Sequence, residues 1–477
     1  MKRYNSLEEV RQDISVGTLT CRKLVDYYLQ NIQQKKHLNA FLEVFEKEAL
    51  TQADAIDQKI AAGTAGRLAG MVIGIKDVLA YKDHSLQSSS KILEGFKSLY
   101  TATAVQRLIN QDAIIIGRQN CDEFAMGASN ETSAFGPALN DADNSRVPGG
   151  SSGGSAVAVQ ADLCLASIGS DTGGSVRQPA AFCDVIGLKP TYSRISRYGL
   201  IAYASSFDQI GTLTRSIEDA ALLLEVMAGP DEYDSTASKR PVPAYTQQLE
   251  VDRKFRIGYI KDCLENEGLD PEIKETMYGV IDRLKEEEHT VEAVDFPYLD
   301  YIVPTYYILT TAEASSNLSR YDGVKYGYRS PDATDLGTMY KKTRAQGFGH
   351  EVQKRIMLGT FVLSADYYDA YYTKAQRVRR LLKEKTEELL QQYDFLILPT
   401  TPTTAFPLGG FEASPLAMYL ADIFTVQASL AGIPAISVPV GYDTKGLSIG
   451  LQVLTRSFEE AQLLAFSKVV HEKIIVA

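Results

Sequence analysis

The segments MVIGI (71–75), TAVQRLIN (103–110) and AIIIG (113–117) decide the fold. The first and third are short, unbroken apolar runs, and the second is a helix lying between them. The alternation continues through GSAVAVQA (154–161, helix), LCLASIGS (163–170, strand), RQPAAF (177–182, helix) and DVIGL (184–188, strand). Strands written as continuous apolar runs, separated by helices, predict an α/β fold. Its sheet should be mixed, largely parallel, and covered by helices on both faces.

Working outward, residues 1–66 read as a helical N-terminal region packed on this core. Ser6 and Glu9 form a capping pattern, Thr20 can cap a second helix, and a third runs through Ala49, Ala53, Ile56 and Ile60 to stop at Gly63. C-terminally, Ser216 caps a helix, 230–253 is a polar, proline-bearing excursion, and Pro271 opens another helix. FRIGYI (255–260), TVEAVDF (290–296), FLILPT (395–400), PAISVPVG (434–441) and LSIGLQVLT (447–455) read as strands. Residues 301–395 are mostly helical, and Ser457 with Glu460 is expected to cap a last helix. There is no fixed-period repeat and no long low-complexity tract, so 67–477 reads as one large domain.

Composition sets the outer limits. Of 477 residues, 45% are hydrophobic and 23% charged, and the net charge of −11 disfavours nucleic-acid binding by this chain alone. The most basic stretch, 374–383, is followed by Glu384, Glu387 and Glu388, so it reads as a solvated helix face. Five scattered cysteines without a CxxC and five dispersed histidines predict neither disulfides nor a metal site. With no signal peptide and no apolar run of spanning length, the expected location is cytoplasmic.

The densest anomaly is a pair of Gly/Ser loops, VPGGSSGGS (147–155) and GSDTGGSVR (169–177), each leading into a helix. Backbone N–H groups and hydroxyls at helix starts suit an anion or a developing oxyanion, although a single such loop is commonly just a turn. Neither loop is a Walker or a dinucleotide-binding motif. GGSSG (149–153) fits a G-x-S-x-G nucleophile elbow, but the residues before it, ALNDADNSRVPGG (138–150), are not a strand. If serine is the nucleophile without a histidine base, lysine is the usual substitute. Lys76 follows the MVIGI strand, where desolvation would lower its pKa. Alone, it would read as a surface residue.

These motifs together identify a resemblance. GIKD (74–77), the GGSSGGS loop and GSDTGGSVRQPA (169–180) are similar to the amidase signature family, as are IGLKPT (186–191) and YASSFDQIG (203–211). DEFAMG (122–127), EASSNLSR (313–320), LGTF (358–361) and YYDAY (367–371) resemble the branch of that family that serves tRNA-dependent amidation. The similarity covers nearly the whole chain. It implies the amidase signature fold, with Ser175 as nucleophile, Ser151 as bridging serine behind a cis peptide bond, and Lys76 as base. It implies backbone N–H groups of Thr172, Gly173 and Gly174 as oxyanion donors. Arg355 in QKRI (353–356) and Asp422 in MYLAD (418–422) match positions that hold the α-carboxylate and α-ammonium of glutamine. Tyr306, or Tyr307 in the alternative register, matches a further pocket residue.

The resemblance further implies a glutaminase working in a heterotrimer with B and C subunits. Ammonia from glutamine would convert Glu-tRNA(Gln), and possibly Asp-tRNA(Asn), to the amidated forms. No cofactor is implied in this chain: ATP and Mg²⁺ would be used by the partner protein, which would also hold the misacylated tRNA. Two other readings remain: a stand-alone amidase for small or fatty amides, and an inactive scaffold.

Overall fold

In the computed structural model, which describes residues 1–410 and 415–474 (side chains of 415–417 excepted), eleven strands form one sheet. They are β1 (Phe41–Val44), β2 (Val72–Lys76), β3 (Ile114–Gln119), β4 (Ala166–Asp171), β5 (Ile186–Lys189) and β6 (Gln209–Thr214). The rest are β7 (Arg256–Ile260), β8 (Thr290–Val294), β9 (Phe395–Pro399), β10 (Ala435–Tyr442) and β11 (Ser448–Leu454). Their order across the sheet is β1-β3-β2-β4-β6-β5-β10-β11-β9-β7-β8.

The α/β class and the mixed sheet are as expected, but "largely parallel" needs correction. Parallel pairing is confined to β3-β2-β4 at one end and β9-β7-β8 at the other, and every pair from β4 through β6, β5, β10 and β11 to β9 is antiparallel. The reason is physical. A continuous apolar run reports that both faces of a strand are covered, not which way its neighbour runs. Every residue of β2, β3, β4, β5, β6, β9 and β11 is buried, so both side-chain alternations are enclosed. The helix Gly153–Gln160 packs on β2 and β4, Ile217–Met227 on β6, and Glu460–Lys473 on β10.

The N-terminal region is helical apart from β1, which the sequence reading did not separate. Four residues between Asn39, itself left-handed, and the helix from Glu46 are too few to display a period. β1 pairs antiparallel with β3, so residues 1–66 are part of the sheet as well as packed on it. Ser6, Thr20 and Ser216 cap their helices as expected. Ser457 does not cap the last one. The cap position is Glu459 without a side-chain bond, and Glu460 is buried, accepting the Thr191 N–H at 2.9 Å.

Two consequences fix the site. β2 and β4 are parallel neighbours, so their C-terminal ends, Lys76 and Ser170–Asp171, emerge side by side at one edge. That edge of parallel strands is where α/β sheets place ligands. No helix among the described residues is long and apolar enough to cross a membrane.

Candidate active site

Lys76, the last residue of β2, is fully buried. Its Nζ lies 2.6 Å from Ser151 Oγ, 2.9 Å from Ser152 Oγ and 3.0 Å from Ser170 Oγ. Among the described residues, no carboxylate pairs with it directly. Burial therefore dominates and pulls its pKa down to about 8, against the weaker opposing pull of Cys121, Asp122, Asp171 and Asp208. A neutral amine has one lone pair, and the surrounding hydroxyls decide what fills it. Ser152 donates its own proton to the Ser170 carbonyl at 3.1 Å, so it can only accept from Lys76. Ser151 makes the shortest contact and can donate into the lone pair.

The two Gly/Ser loops are tied together around this ammonium. Ser152 N–H donates to the Ser175 carbonyl at 3.0 Å, and Gly150 N–H donates to Gln178 Oε1 at 2.8 Å. Asp122 N–H donates to the Ser151 carbonyl at 3.1 Å. The Gly150–Ser151 peptide bond is cis. Ser151 is fully buried, whereas Ser175, at the turn into the helix Arg177–Phe182, keeps 7% of its surface exposed.

The loop from Asp171 to Val176 is held from below by a buried ion pair. Arg177 grips Asp171 through Nη2 at 2.8 Å and Nε at 3.0 Å. Burial is the largest single influence and would raise the Asp171 pKa, but Arg177, Lys189 and the Val176 N–H together outweigh it and keep the carboxyl below its usual range. Asp171 also accepts the N–H groups of Gly174 at 2.9 Å and Val176 at 3.2 Å. This bears on one expected residue: the Gly174 N–H is committed to Asp171 and does not point at an incoming oxyanion. Among the described residues, the N–H groups of Thr172, Gly173 and Ser175 have no partner, and these three can serve. Gly174 has φ +138, and a Cβ there would overlap Thr425, so only glycine fits this turn.

The expected binding residues stand over the same loop. Tyr306, on the helix Leu299–Asn317, presses its hydroxyl against Gly173, where a Cβ would overlap it. Tyr307 donates to Asp422 Oδ2 at 3.2 Å. The tyrosine register thus divides into two contacts, one toward the loop and one toward the carboxylate. Asp422 is buried, and burial raises its pKa to about 7 despite Arg355 and Tyr307. Arg355, on the helix His350–Val362, is 3% exposed and packs against the rings of Tyr203, Tyr307 and Tyr419.

Sequence reasoning missed the immediate partners. Ser152 and Ser170 lie within the quoted motifs, but only the fold shows that they contact Lys76. Glu351 accepts from Arg355 Nε at 2.8 Å, and Tyr203 OH accepts from Nη1 at 2.9 Å. The Glu351–Arg355 spacing of four on a helix was the available signal.

The arrangement has the parts of serine-based acyl transfer: a buried amine, a hydroxyl 2.6 Å from it, a second serine on the neighbouring loop and unpartnered backbone N–H groups at one strand edge. Comparison with known proteins gives three findings. A sequence profile described as Amidase matches residues 23–464. The A subunit of the Chlorobium luteolum glutamyl-tRNA(Gln) amidotransferase is 52% identical over 98% of this chain and 96% of its own. Two crystal structures share the fold. The A subunit of the Thermotoga maritima glutamyl-tRNA(Gln) amidotransferase superposes with a TM-score of 0.78 at 38% identity, covering 94% of this chain and 91% of that one. The native peptide amidase of Stenotrophomonas maltophilia superposes at 0.82 with 28% identity, covering 97% and 96%.

Proposed function

The chain belongs to the amidase family, and from that premise we propose that it hydrolyses the side-chain amide of glutamine as the ammonia-producing component of a tRNA-dependent amidotransferase. The observation that carries the chemistry is the buried Lys76 Nζ at 2.6 Å from Ser151 Oγ. The 52% identity to an amidotransferase A subunit supports the choice of substrate and assembly.

In this reading neutral Lys76 takes a proton from Ser151, which takes the proton of Ser175 as Ser175 Oγ bonds to the amide carbon. The developing oxyanion meets the N–H groups of Thr172, Gly173 and Ser175 in place of Gly174. Collapse of the adduct returns the proton through Ser151 to the leaving nitrogen, and ammonia departs. Water then repeats the sequence on the ester and releases glutamate. No metal or cofactor enters these steps. ATP and Mg²⁺ belong to the partner that activates the misacylated tRNA, and B and C subunits complete the heterotrimer. Contact with tRNA through the partner agrees with the net charge of −11. It also agrees with the helix Lys374–Gln392, where Arg380 pairs with Glu384 and Lys385 with Glu388.

Glutamine is chosen at its α-carbon. Arg355 can bind the α-carboxylate through paired N–H groups, and Asp422 can accept from the α-ammonium, which favours the ionised form of this raised-pKa carboxyl. Arg355→Ala is expected to lower kcat/KM for glutamine by about 2–5 kcal/mol, roughly 30- to 5,000-fold. A neutral amide lacking both α-groups should lose far less. Steady-state kinetics on both substrates checks this. Equal losses would make Arg355 a support of the fold and favour a general amidase.

A further inference from the structure

We infer that Glu351 is a specificity-determining residue, whose carboxylate turns the Arg355 fork toward the site and makes the pocket select a zwitterionic amide over an anionic one. This rests on the glutaminase reading and deepens it.

The geometry is particular. Glu351 and Arg355 lie one turn apart on the helix His350–Val362, and Glu351 Oε1 takes the Nε–H at 2.8 Å. Tyr203 OH accepts one Nη1–H at 2.9 Å. Among the described residues, nothing accepts from Nη2. With the Nε side of the fork occupied, a carboxylate can engage only its far end, through Nη2 and the second Nη1–H. The rings of Tyr203, Tyr307 and Tyr419 lie 5.3–5.9 Å from the guanidinium carbon, within cation–π range. Tyr419 OH makes a long contact of 3.4 Å to the same Glu351 oxygen.

Charge gives the selectivity. An arginine alone would attract any amide bearing a carboxylate. Here Arg355 is offset by Glu351, and Asp422 adds a second negative group beside it. Lys354 also approaches Glu351, at 4.0 Å, but it is one-third exposed and screened by solvent. Above about pH 7, where Asp422 is ionised and the competition is measured, Arg355, Glu351 and Asp422 together therefore carry one excess negative charge. Glutamine adds none to it. 4-Carbamoylbutanoate, which is glutamine without the α-ammonium, adds another negative charge and is penalised.

The test is competition of 4-carbamoylbutanoate against glutamine hydrolysis in the full complex, for wild type, Glu351→Gln and Glu351→Asp. In the wild type the analogue should bind at least tenfold more weakly than glutamine, judged by Ki against KM. This comparison needs no variant, and equal binding would overturn the inference. In Glu351→Gln the Ki-to-KM ratio should fall at least tenfold with kcat on glutamine within about threefold. In Glu351→Asp the ratio should stay near the wild-type value. A purely structural role would lower kcat in both variants and leave the ratio unmoved, and that too would overturn it. Wild-type protein that does not hydrolyse glutamine at all would instead refute the glutaminase reading.

Discussion

Ser175→Ala is expected to reduce glutamine hydrolysis by roughly 10⁵- to 10⁶-fold, the scale on which removing a nucleophile abolishes a serine-based machine. The substitution deletes one oxygen at a position that is 7% exposed, behind Gly173 and Gly174, and the Ser175 carbonyl still accepts from Ser152 N–H. Folding should therefore be intact, with an unchanged melting temperature. Amidation of misacylated tRNA driven by added ammonium should survive, because it bypasses this site. Release of ammonia from glutamine, with and without ammonium rescue in the assembled complex, separates the two activities. Loss of both would mean that the residue supports the assembly and not the hydrolysis.

Lys76→Arg is expected to cost roughly 10²- to 10⁴-fold, the usual worth of a positioned acid–base group. Arginine retains the charge but has no lone pair at neutral pH, and its fork does not match three serine hydroxyls arranged around a point charge. The pH dependence tests the same claim. Because burial holds the Lys76 pKa at about 8, below the ordinary lysine value, the active neutral form is the minority at pH 7. The kcat at saturating glutamine should rise close to tenfold per unit below pH 8 and flatten above it. Saturation separates this limb from the titration of Asp422 near 7, which acts on binding. The sign for stability is the same. Between about pH 8 and the unfolded lysine value, the unfolded chain holds more protons, so raising pH through that window stabilises the fold. In the Arg variant the limb centred near 8 should vanish.

The roles expected of Ser175, Ser151, Arg355 and Asp422 come from the resemblance to the amidase signature family, while the residues themselves point only to an anion-suited pair of loops and a lysine beside them. Lys76 ends a buried strand, and Ser151 and Ser175 sit in two glycine-rich loops whose closeness in the chain, more than either loop alone, marks them. What could not be read depended on distant packing. The antiparallel centre of the sheet arises from pairings such as β5 with β10, more than 240 residues apart in the chain. Strand direction leaves no trace in an apolar run covered on both faces. The Gly174 N–H looked available because its neighbours are, until Asp171 is seen folded back beneath the loop. The resemblance offers Arg355 only as a carboxylate-binding residue, and the fold adds that it is already held by Glu351 and Tyr203. Pairing on the Nε side while the far end stays open is a matter of side-chain geometry, and four-residue spacing alone does not specify it.

The most direct test is to trap the acyl-enzyme. The complex is mixed with glutamine, quenched in acid within a turnover, digested, and its peptides are weighed and fragmented. The account predicts a γ-glutamyl ester on Ser175 that is absent from Ser175→Ala. It also predicts less ester in Lys76→Arg, where acylation is slow. An acyl group on Ser151, Ser152 or any cysteine, or none at all while ammonia is released in a burst, would contradict it.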